Sequence, residues 1–321
     1  LVADTPQPTE LKIPPLVFGT MARASSNPGL RRAMFRYALK QGIRAFDTAP
    51  LYEFGETESQ LGEVLAEFDE DVQVFSKVGL SWRADSRGPV HFETTAENGE
   101  PRVVHRDSRP EAIRQDVEES LHRLGLEQLD LAQVHFRDTD TPIPATMQAL
   151  RALREEGKIR AIGVSNFSLH EVQEAAAALA PTPLAAVQIR LNLLQRAPLA
   201  AKELVAWCRS HNIAVLAYSP LAEGRLAKAP SADVQKQAAT DSARSELASL
   251  CAEAELPMVA VSIAWLTSQP GVTGAIAGAS TPEQLDGLMR MAEVPADLVR
   301  HASEIFRNVQ LRDPWEGPFW K

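Results

Sequence analysis

Eight short apolar runs divide the chain, and this repeating pattern limits how it can fold more than any other feature. The runs are LVFGT (16–20), RAFDTA (44–49), VQVFSKV (72–78), LDLAQVHF (129–136), AIGVSN (161–166), AAVQIRLN (185–192), AVLAYSP (214–220) and TGAIAGA (273–279). Each is rich in β-branched side chains and nearly continuous in apolar character, which is typical of strands buried on both faces. Helical patterns follow at about 30–41, 57–67, 110–124, 143–157, 168–180 and 199–211.

The alternation of strands and helices predicts parallel strands joined by helical crossovers. Eight such units in 321 residues suit an α/β fold, a closed (β/α)8 TIM barrel that forms one domain over residues 1–321. A doubly wound open sheet is the main alternative, but no run is followed by a G-x-G-x-x-G turn. The opening segment ELKIPPLVFGT is also compatible with a short hairpin that caps the barrel bottom.

Two polar segments interrupt the alternation, at 80–109 and at 223–242. Both follow the carboxyl ends of predicted strands, which is the active-site face of a TIM barrel. Residues 80–109 contain Gly and Pro and show no helical period, so we expect a long loop that serves as a flap over the substrate or is a disordered insert.

Composition narrows the partners and the compartment. The net charge is −9, and the apolar runs are of strand length, so the sequence predicts no nucleic-acid partner and no membrane span. Cys208 and Cys251 form no metal-binding or disulfide pattern and are expected to be buried thiols. The N-terminal stretch has no basic segment followed by an apolar one, so no intact secretory signal and a cytoplasmic location are expected.

Polar residues stand at the ends of nearly all the predicted strands. They are Gly19 and Thr20, Asp47, Lys77, His135, Ser165 and Asn166, Gln188 and Asn192, Tyr218 and Ser219, and Gly278 to Ser280. In a barrel these ends meet at one mouth. Asp47 with Lys77 alone is also compatible with a buried structural ion pair, but convergence of four titratable residues weakens that interpretation.

Three of these side chains, together with Tyr52, suit one reaction. Lys77 lies beside Asp47 if the second and third strands are neighbours, and Tyr52 follows on the loop above them. A nearby ammonium is expected to lower the pKa of Tyr52 and so help its proton move to a substrate oxygen. His135 is placed to orient that oxygen. Neither a G-x-S-x-G turn nor an H-E-x-x-H helix is present, so hydrolysis is disfavoured, and protonation of a carbonyl requires a hydride source such as a nicotinamide cofactor.

Several motifs together resemble the aldo-keto reductase family, with bacterial sugar-dehydrogenase-like or oxidoreductase-like members the most similar. They are GIRAFDTAPLYEFGETESQLG, FSKVG, DVEESLHRLGLEQLDLAQVHF, GKIRAIGVSNFS, VQIRLNLLQR, LAYSPLAEGRL and IAGASTPEQL. The resemblance implies a (β/α)8 barrel that binds NADP(H) or NAD(H) and a tetrad of Asp47, Tyr52, Lys77 and His135, with Tyr52 as general acid/base.

The resemblance also implies the cofactor contacts. Ser165, Asn166 and Gln188 would hold the nicotinamide carboxamide, and Tyr218 would stack on the ring. The rest of the groove would be lined by Gly19, Thr20, Ser219, Leu221, Gly278 and Ser280.

The chain departs from the family pattern at two places. Phe136–Arg137 replaces the usual Trp-containing pair after the histidine, which alters the pocket wall. Beyond the eighth strand, a helix begins near Ser280, Thr281 and Pro282. NADP-specific members carry basic residues there, but the matching positions are Ala279 and Leu285, the late asparagine is Met289, and Arg290 is the first basic residue. We therefore expect dual use of NADP(H) and NAD(H), or preference for NAD(H), unless Arg290 or Arg225 substitutes.

Two other functions stay open at this point. One is a non-catalytic cofactor-binding or sensor subunit on the same barrel, and the other is an aldolase with Lys77 as the Schiff base, which Asp47 disfavours. The substrate is expected to be a small-molecule carbonyl, such as a sugar or an aromatic aldehyde. Aromatic residues in segments that can cover the mouth are Trp82, His91, Phe92, Trp315, Phe319 and Trp320.

Overall fold

The computed structural model describes residues 11–21, 27–95, 99–199, 203–230 and 238–309. The strands in chain order are β1 (Leu16–Gly19), β2 (Ala45–Asp47), β3 (Gln73–Val78), β4 (Leu80–Ser81), β5 (Val90–Thr95), β6 (Pro101–Arg106), β7 (Leu129–Val134), β8 (Ile159–Ser165), β9 (Ala186–Arg190), β10 (Ala214–Tyr218) and β11 (Gly274–Ala277). The helices are α1 (Pro28–Lys40), α2 (Glu56–Leu65), α3 (Pro110–Leu124), α4 (Ile143–Glu155), α5 (Leu169–Leu179), α6 (Leu204–Ser210), α7 (Ala238–Glu253), α8 (Met258–Thr267), α9 (Pro282–Met289) and α10 (Ala296–Ile305).

Eight of these strands close into a parallel barrel in the order β1-β11-β10-β9-β8-β7-β3-β2. Seven barrel strands lie within the predicted apolar runs and β8 begins two residues before its run, so the predicted (β/α)8 fold is confirmed. Consecutive barrel strands are neighbours, and the first and last strands meet where Phe18 pairs with Ala277. The carboxyl ends of all eight strands therefore open on one face.

A two-residue period divides each barrel strand between two cores. On β3, Phe75 belongs to the cluster inside the barrel, while Val74 and Val78 pack outward under the helices. The inner cluster is small and is closed at the bottom by Leu11 and Ile13, both of which are buried. Because residues 11–15 form no strand, a hairpin is not seen in the described part of the opening segment.

Both cysteines lie in the outer core, as expected. Cys208 and Cys251 are buried free thiols. Burial raises the pKa of Cys208 to about 12 and that of Cys251 to about 11. Neither thiol is therefore a nucleophile at neutral pH.

Residues 80–109 fold differently from the prediction of a loop without secondary structure. Strands β4, β5 and β6 form a three-stranded antiparallel sheet in the order β4-β6-β5. The base of this sheet is fastened by buried carboxylates: Asp116 accepts from the Gly79 amide at 2.7 Å, and Asp138 accepts from the Ser108 amide at 2.9 Å. We call residues 80–109 the flap; its residues 96–98 lie outside the described ranges.

Two further features concern membranes and metals. Within the described ranges, no single helix is long and apolar enough to cross a membrane. Ala239–Glu253 and Met258–Thr267 reach that length and apolar character only when taken together, and the chain bends by 102° between them. In the same ranges, no group of three or more His, Cys, Asp or Glu side chains is placed to hold a metal ion.

Candidate active site

The predicted tetrad comes together at the carboxyl ends of neighbouring strands. Strand β2 pairs with β3, and β3 pairs with β7, which places Asp47, Lys77 and His135 side by side. The Lys77 ammonium donates to Asp47 Oδ1 at 2.5 Å and to the phenol oxygen of Tyr52 at 3.2 Å. The ring of His135 stands edge-on to that of Tyr52, with centroids 6.4 Å apart.

Lys77 is buried and has a full set of acceptors. Its three donors are matched by Asp47, Tyr52 and the carbonyl oxygen of Thr48, the last at 3.0 Å. Burial is the largest single effect and acts to lower the pKa of Lys77, but the charges of Asp47 and Tyr52 and the hydrogen bonds to both together outweigh it, so the net pKa is raised. Asp47 therefore lies where it can keep Lys77 charged and oriented, as expected for it.

The predicted direction of the pKa shift at Tyr52 is wrong. The Lys77 ammonium lowers the pKa of Tyr52, but burial of the phenol is the larger effect, and the net pKa is raised above its ordinary value. The phenol is thus protonated at neutral pH, which is the form that donates a proton.

His135 is neutral in this environment. Burial, followed by the charge of Lys77, holds the pKa of His135 well below its usual value. A neutral imidazole beside the phenol offers a hydrogen-bond donor for an oxygen without adding a positive charge.

Two amides complete the surroundings of Asp47. Gln188 donates to Asp47 Oδ2 at 2.8 Å, and Gln133 donates to the same oxygen at 3.4 Å. Sequence reasoning missed Gln133. Because side chains on one face of a strand recur at every second residue, its position two residues before His135 was the signal that could have identified it.

These groups line one end of a cleft of about 770 Å³. Most predicted site residues line it: Asp47, Tyr52 and His135, with Gly19, Ser165, Asn166, Gln188, Tyr218, Ser219, Leu221, Gly278 and Ser280. Thr20 does not; its hydroxyl is buried and donates to the carbonyl oxygen of Asp47 at 3.1 Å. Lys77 is absent from the lining because it lies beneath Tyr52.

Polar groups on β8 and β10 form a second cluster in the cleft. The Tyr218 hydroxyl donates to Asn166 Oδ1 at 2.6 Å, while Asn166 Nδ2 donates to the carbonyl oxygen of His135 and to Ser165 Oγ, both at 3.0 Å. Asn166 has a φ of 59°, so its side chain is presented from a left-handed turn. The cluster fixes an aromatic ring beside amide groups.

Two glycines line the cleft where β1 meets the end of β11. A Cβ on Gly278 would lie 2.6 Å from the carbonyl oxygen of Gly19, and one on Gly19 would lie 3.0 Å from Ile276, so the absence of side chains lets the two strands approach closely there. Elsewhere in the lining, the ring of Tyr218 lies beside the amide of Asn166, a pairing that suits a flat ring with a carboxamide such as nicotinamide.

The far end of the cleft reaches the first turn of α9. Thr281 caps this helix by accepting from the Gln284 amide at 3.4 Å, and Pro282 is in the first turn, as predicted. Glu283, in that first turn, lines the cleft, and the exposed Lys228 is also among the lining residues. Hydrogen bonds from the backbone N–H of Glu283 and then from the Thr281 hydroxyl lower the pKa of the Glu283 carboxyl. An ionised carboxylate therefore faces this end of the cleft.

The positions that would carry a phosphate clamp are apolar or engaged. Ala279 and Leu285 are buried. Arg290 donates from Nε to Glu293 at 2.9 Å and from Nη2 to the carbonyl oxygen of Glu255 at 3.1 Å. Arg225 is exposed and does not line the cleft.

Aromatic side chains of the flap meet the catalytic end. His91 stacks near Phe136 with centroids 4.5 Å apart, and Phe136 in turn stacks on His135 at 5.2 Å. Trp82 and Phe92 pack beside this cluster. Of the aromatic residues expected in segments that can cover the mouth, Trp82, His91 and Phe92 lie in the flap close to Phe136, whereas Trp315, Phe319 and Trp320 lie outside the described residues.

Comparison with known proteins agrees with this geometry. The model of the aldo/keto reductase family matches residues 15–302, and the chain belongs to that family. It is 30% identical to the NADH-specific methylglyoxal reductase of Escherichia coli (strain K12), over 76% of this chain and 77% of that protein. It is also 30% identical to aldo-keto reductase YhdN of Bacillus subtilis (strain 168), over 79% of this chain and 76% of that protein.

Solved structures show the same relationship. Glycerol dehydrogenase AKR11B4 from Gluconobacter oxydans superposes with a TM-score of 0.82 at 30% identity, covering 98% of this chain and 99% of that one. Aldo-keto reductase AKR11C1 from Bacillus halodurans shares the fold, with a TM-score of 0.75 at 22% identity, covering 97% and 99%. The protein is therefore an oxidoreductase of a family that reduces carbonyl groups with NAD(P)H.

Proposed function

We propose that this protein interconverts a small aldehyde or ketone and its alcohol, as an alcohol dehydrogenase of the EC 1.1.1 type, with Tyr52 as general acid/base. The observation that carries the proposal is the position of Lys77, which hydrogen-bonds Asp47 and the Tyr52 phenol at once. In this series of hydrogen bonds Tyr52 would supply a proton, and Lys77 would stabilise the negative charge left on the phenol oxygen.

Each residue of the tetrad has a distinct part. When bound, the nicotinamide cofactor supplies or accepts the hydride. Tyr52 donates its proton to the carbonyl oxygen, and Lys77 stabilises the phenolate that forms. Asp47 keeps Lys77 charged and directed at Tyr52. Neutral His135 donates a hydrogen bond that orients the carbonyl oxygen.

The remaining cleft residues are proposed to hold the cofactor. Ser165, Asn166 and Gln188 would bind the carboxamide, and Tyr218, fixed through Asn166, would stack on the nicotinamide ring. The backbone of Gly19 and Gly278 would contact the extended part of the cofactor, and Ser219, Leu221 and Ser280 would flank it. Thr20 would act only by supporting Asp47.

We propose dual use of NAD(H) and NADP(H), with at most a weak preference for the phosphorylated form. The buried Ala279 and Leu285 offer no charge to a 2′-phosphate, and Arg290 is held by Glu293. The ionised Glu283 lines the cleft at α9 and would repel a phosphate, and the exposed Lys228, which also lines the cleft, would offset that repulsion only in part.

The two alternative functions receive less support. An aldolase needs a lysine with a free amine, but Lys77 is buried and donates to three acceptors. A non-catalytic subunit would have no use for a phenol kept protonated next to an ammonium. Both alternatives predict no turnover of a carbonyl with cofactor.

The substrate is proposed to be a small carbonyl compound. Methylglyoxal and glycerol, the compounds in the names of two relatives, are one class to test. Sugars and aromatic aldehydes are another, because Phe136, which packs against His91 of the flap, lines the catalytic end. The test is a screen of aldehydes with NADH and NADPH, and of the alcohols with the oxidised cofactors. Failure of all these compounds to turn over would refute the proposed function.

A further inference from the structure

The turn that carries Tyr52 has an unusual backbone. The three residues after it, Glu53, Phe54 and Gly55, have φ angles of 49°, 54° and 98°. Glycine accepts this left-handed region readily, whereas Glu and Phe enter it only at a cost in conformational energy. Such a turn persists only where surrounding contacts hold it.

Glu53 is held by a buried arginine from outside the site. Its carboxylate forms an ion pair with Arg31 on α1. The side chain of Arg31 is 2% exposed, and that of Glu53 is 44% exposed. Arg31 is itself fixed by Gln60 on α2, whose Oε1 accepts from Nη1 at 2.9 Å. Arg31 thus ties the turn to two helices of the barrel wall.

Phe54 is held from the opposite side by the flap. Its ring meets that of Trp82 edge-on, with centroids 5.1 Å apart. The guanidinium of Arg102 lies 4.2 Å from the centre of the same ring. The left-handed turn is therefore fastened between the barrel wall and the flap, next to the phenol that Lys77 contacts.

We propose that Arg31 and Glu53 are positioning residues, which hold the Tyr52 phenol within hydrogen-bond reach of Lys77. The inference rests on the proposed function of Tyr52. Neither Arg31 nor Glu53 lines the cleft, and neither takes part in the proton transfer. They act by stabilising a backbone conformation that the residues of the turn disfavour.

The first experiment is steady-state kinetics of Glu53→Gln and Arg31→Met. Displacing a catalytic group by about 1 Å can cost about 10²-fold in rate. We therefore expect kcat to fall by about 10- to 100-fold in each variant, while the Kd for the oxidised cofactor changes by less than about twofold. The double variant should be no worse than the poorer single variant, because both changes remove one interaction. Arg36→Met is the matched control, since Arg36 is on α1 and pairs with Glu67 at the surface.

The second experiment follows Tyr52 directly and needs no turnover. The chain has three tyrosines, so carbon-13 labelling of the phenolic carbon gives three NMR signals, and Tyr52→Phe assigns one of them. Glu53→Gln should shift or broaden the Tyr52 signal and leave those of Tyr37 and Tyr218 in place. Because Glu53 is partly exposed, this variant is expected to fold even if Arg31→Met does not.

The outcomes separate the two proposals. A Tyr52 signal that does not move in Glu53→Gln overturns the positioning role, and so does a moved signal with unchanged kcat. A moved signal in a protein that turns over no carbonyl refutes the proposed function and supports the tether alone.

Discussion

The ammonium of Lys77 lies 3.2 Å from the phenol oxygen of Tyr52 and donates a hydrogen bond to it. Burial of Tyr52 raises its pKa by more than this ammonium lowers it. The phenol of Tyr52 is thus the proton donor, and the ammonium of Lys77 is placed to stabilise the phenolate that remains after proton transfer.

Replacing Tyr52 by Phe should abolish turnover while leaving cofactor binding nearly intact. Loss of a general acid typically costs about 10²–10⁴-fold in rate. The measurement is kcat on the best substrate of the panel, with the Kd of the oxidised cofactor from tryptophan quenching. Tyr37→Phe is the control, because the Tyr37 hydroxyl donates to Asp286 at the surface. If Tyr52→Phe kept more than half the activity, the proposed mechanism would be wrong.

The pH dependence should differ between the two directions of reaction. Reduction needs the protonated phenol, and a raised pKa keeps the proton in place up to about pH 10, the ordinary value for tyrosine. We therefore expect kcat for reduction to be flat across neutral pH and to fall only at high pH, while oxidation, which needs the phenolate, rises with pH. A fall in reduction centred near pH 7 would show that Lys77 outweighs burial at Tyr52.

The flap is expected to affect the substrate more than the cofactor. Trp82→Ala removes a ring that packs at the catalytic end, and replacing residues 90–104 by a short linker removes most of the small sheet. Both changes should alter KM or the ranking of substrates, with a change of less than about twofold in cofactor Kd. Unchanged kinetics across several substrates would make the flap a surface excursion.

Sequence patterns located the barrel because buried parallel strands leave nearly continuous apolar runs. The flap strands were missed because they have no such runs. Val90–Thr95 and Pro101–Arg106 are mostly half-buried or exposed and mix polar with apolar side chains, so no apolar run or clean alternation marks them. Only pairing in space, such as Glu93 opposite Val103, shows them to be strands.

The tetrad was predictable, but its energetics were not. Strand order brings Asp47, Lys77 and His135 together in any closed barrel of this connectivity. The pKa of Tyr52 depends on how deeply its ring is buried, which the sequence does not record. Arg31 and Glu53 are 22 residues apart with no shared pattern, so their ion pair emerges only from the packing of α1 against the Tyr52 turn.

His91 should make the protein less stable in mild acid. Burial, and then the charge of Arg106, lowers the pKa of His91 to about 4 from its ordinary value. The unfolded chain binds a proton at His91 near pH 6.5 and the folded chain does not, so stability falls as pH drops below that value. Between pH 7.5 and 5.0 this contributes about 1–2 kcal/mol after allowance for solvent screening.

The check is urea unfolding of the unaltered chain and of His91→Gln at both pH values. The variant should lose less stability on acidification. His170→Gln, a change at an exposed position on α5, should behave as the unaltered chain does. Equal acid sensitivity in all three proteins would contradict the assignment to His91.

The protein should discriminate only weakly between NAD⁺ and NADP⁺, and the carboxylate of Glu283 should limit the binding of NADP⁺. A charge-assisted bond to phosphate contributes about 1.5–3 kcal/mol, or about 10- to 150-fold in affinity, and the clamp positions Ala279 and Leu285 supply none. Glu283→Gln removes the ionised carboxylate at that end of the cleft, so we expect it to tighten NADP⁺ binding while NAD⁺ binding stays level or weakens. Arg290→Ala should leave the ratio of the two Kd values within about twofold, since Arg290 is engaged by Glu293. The measurement is tryptophan quenching with both oxidised cofactors. A preference of the unaltered protein for NADP⁺ above about 100-fold, lost in Arg290→Ala, would show instead that Arg290 leaves Glu293 to bind the phosphate.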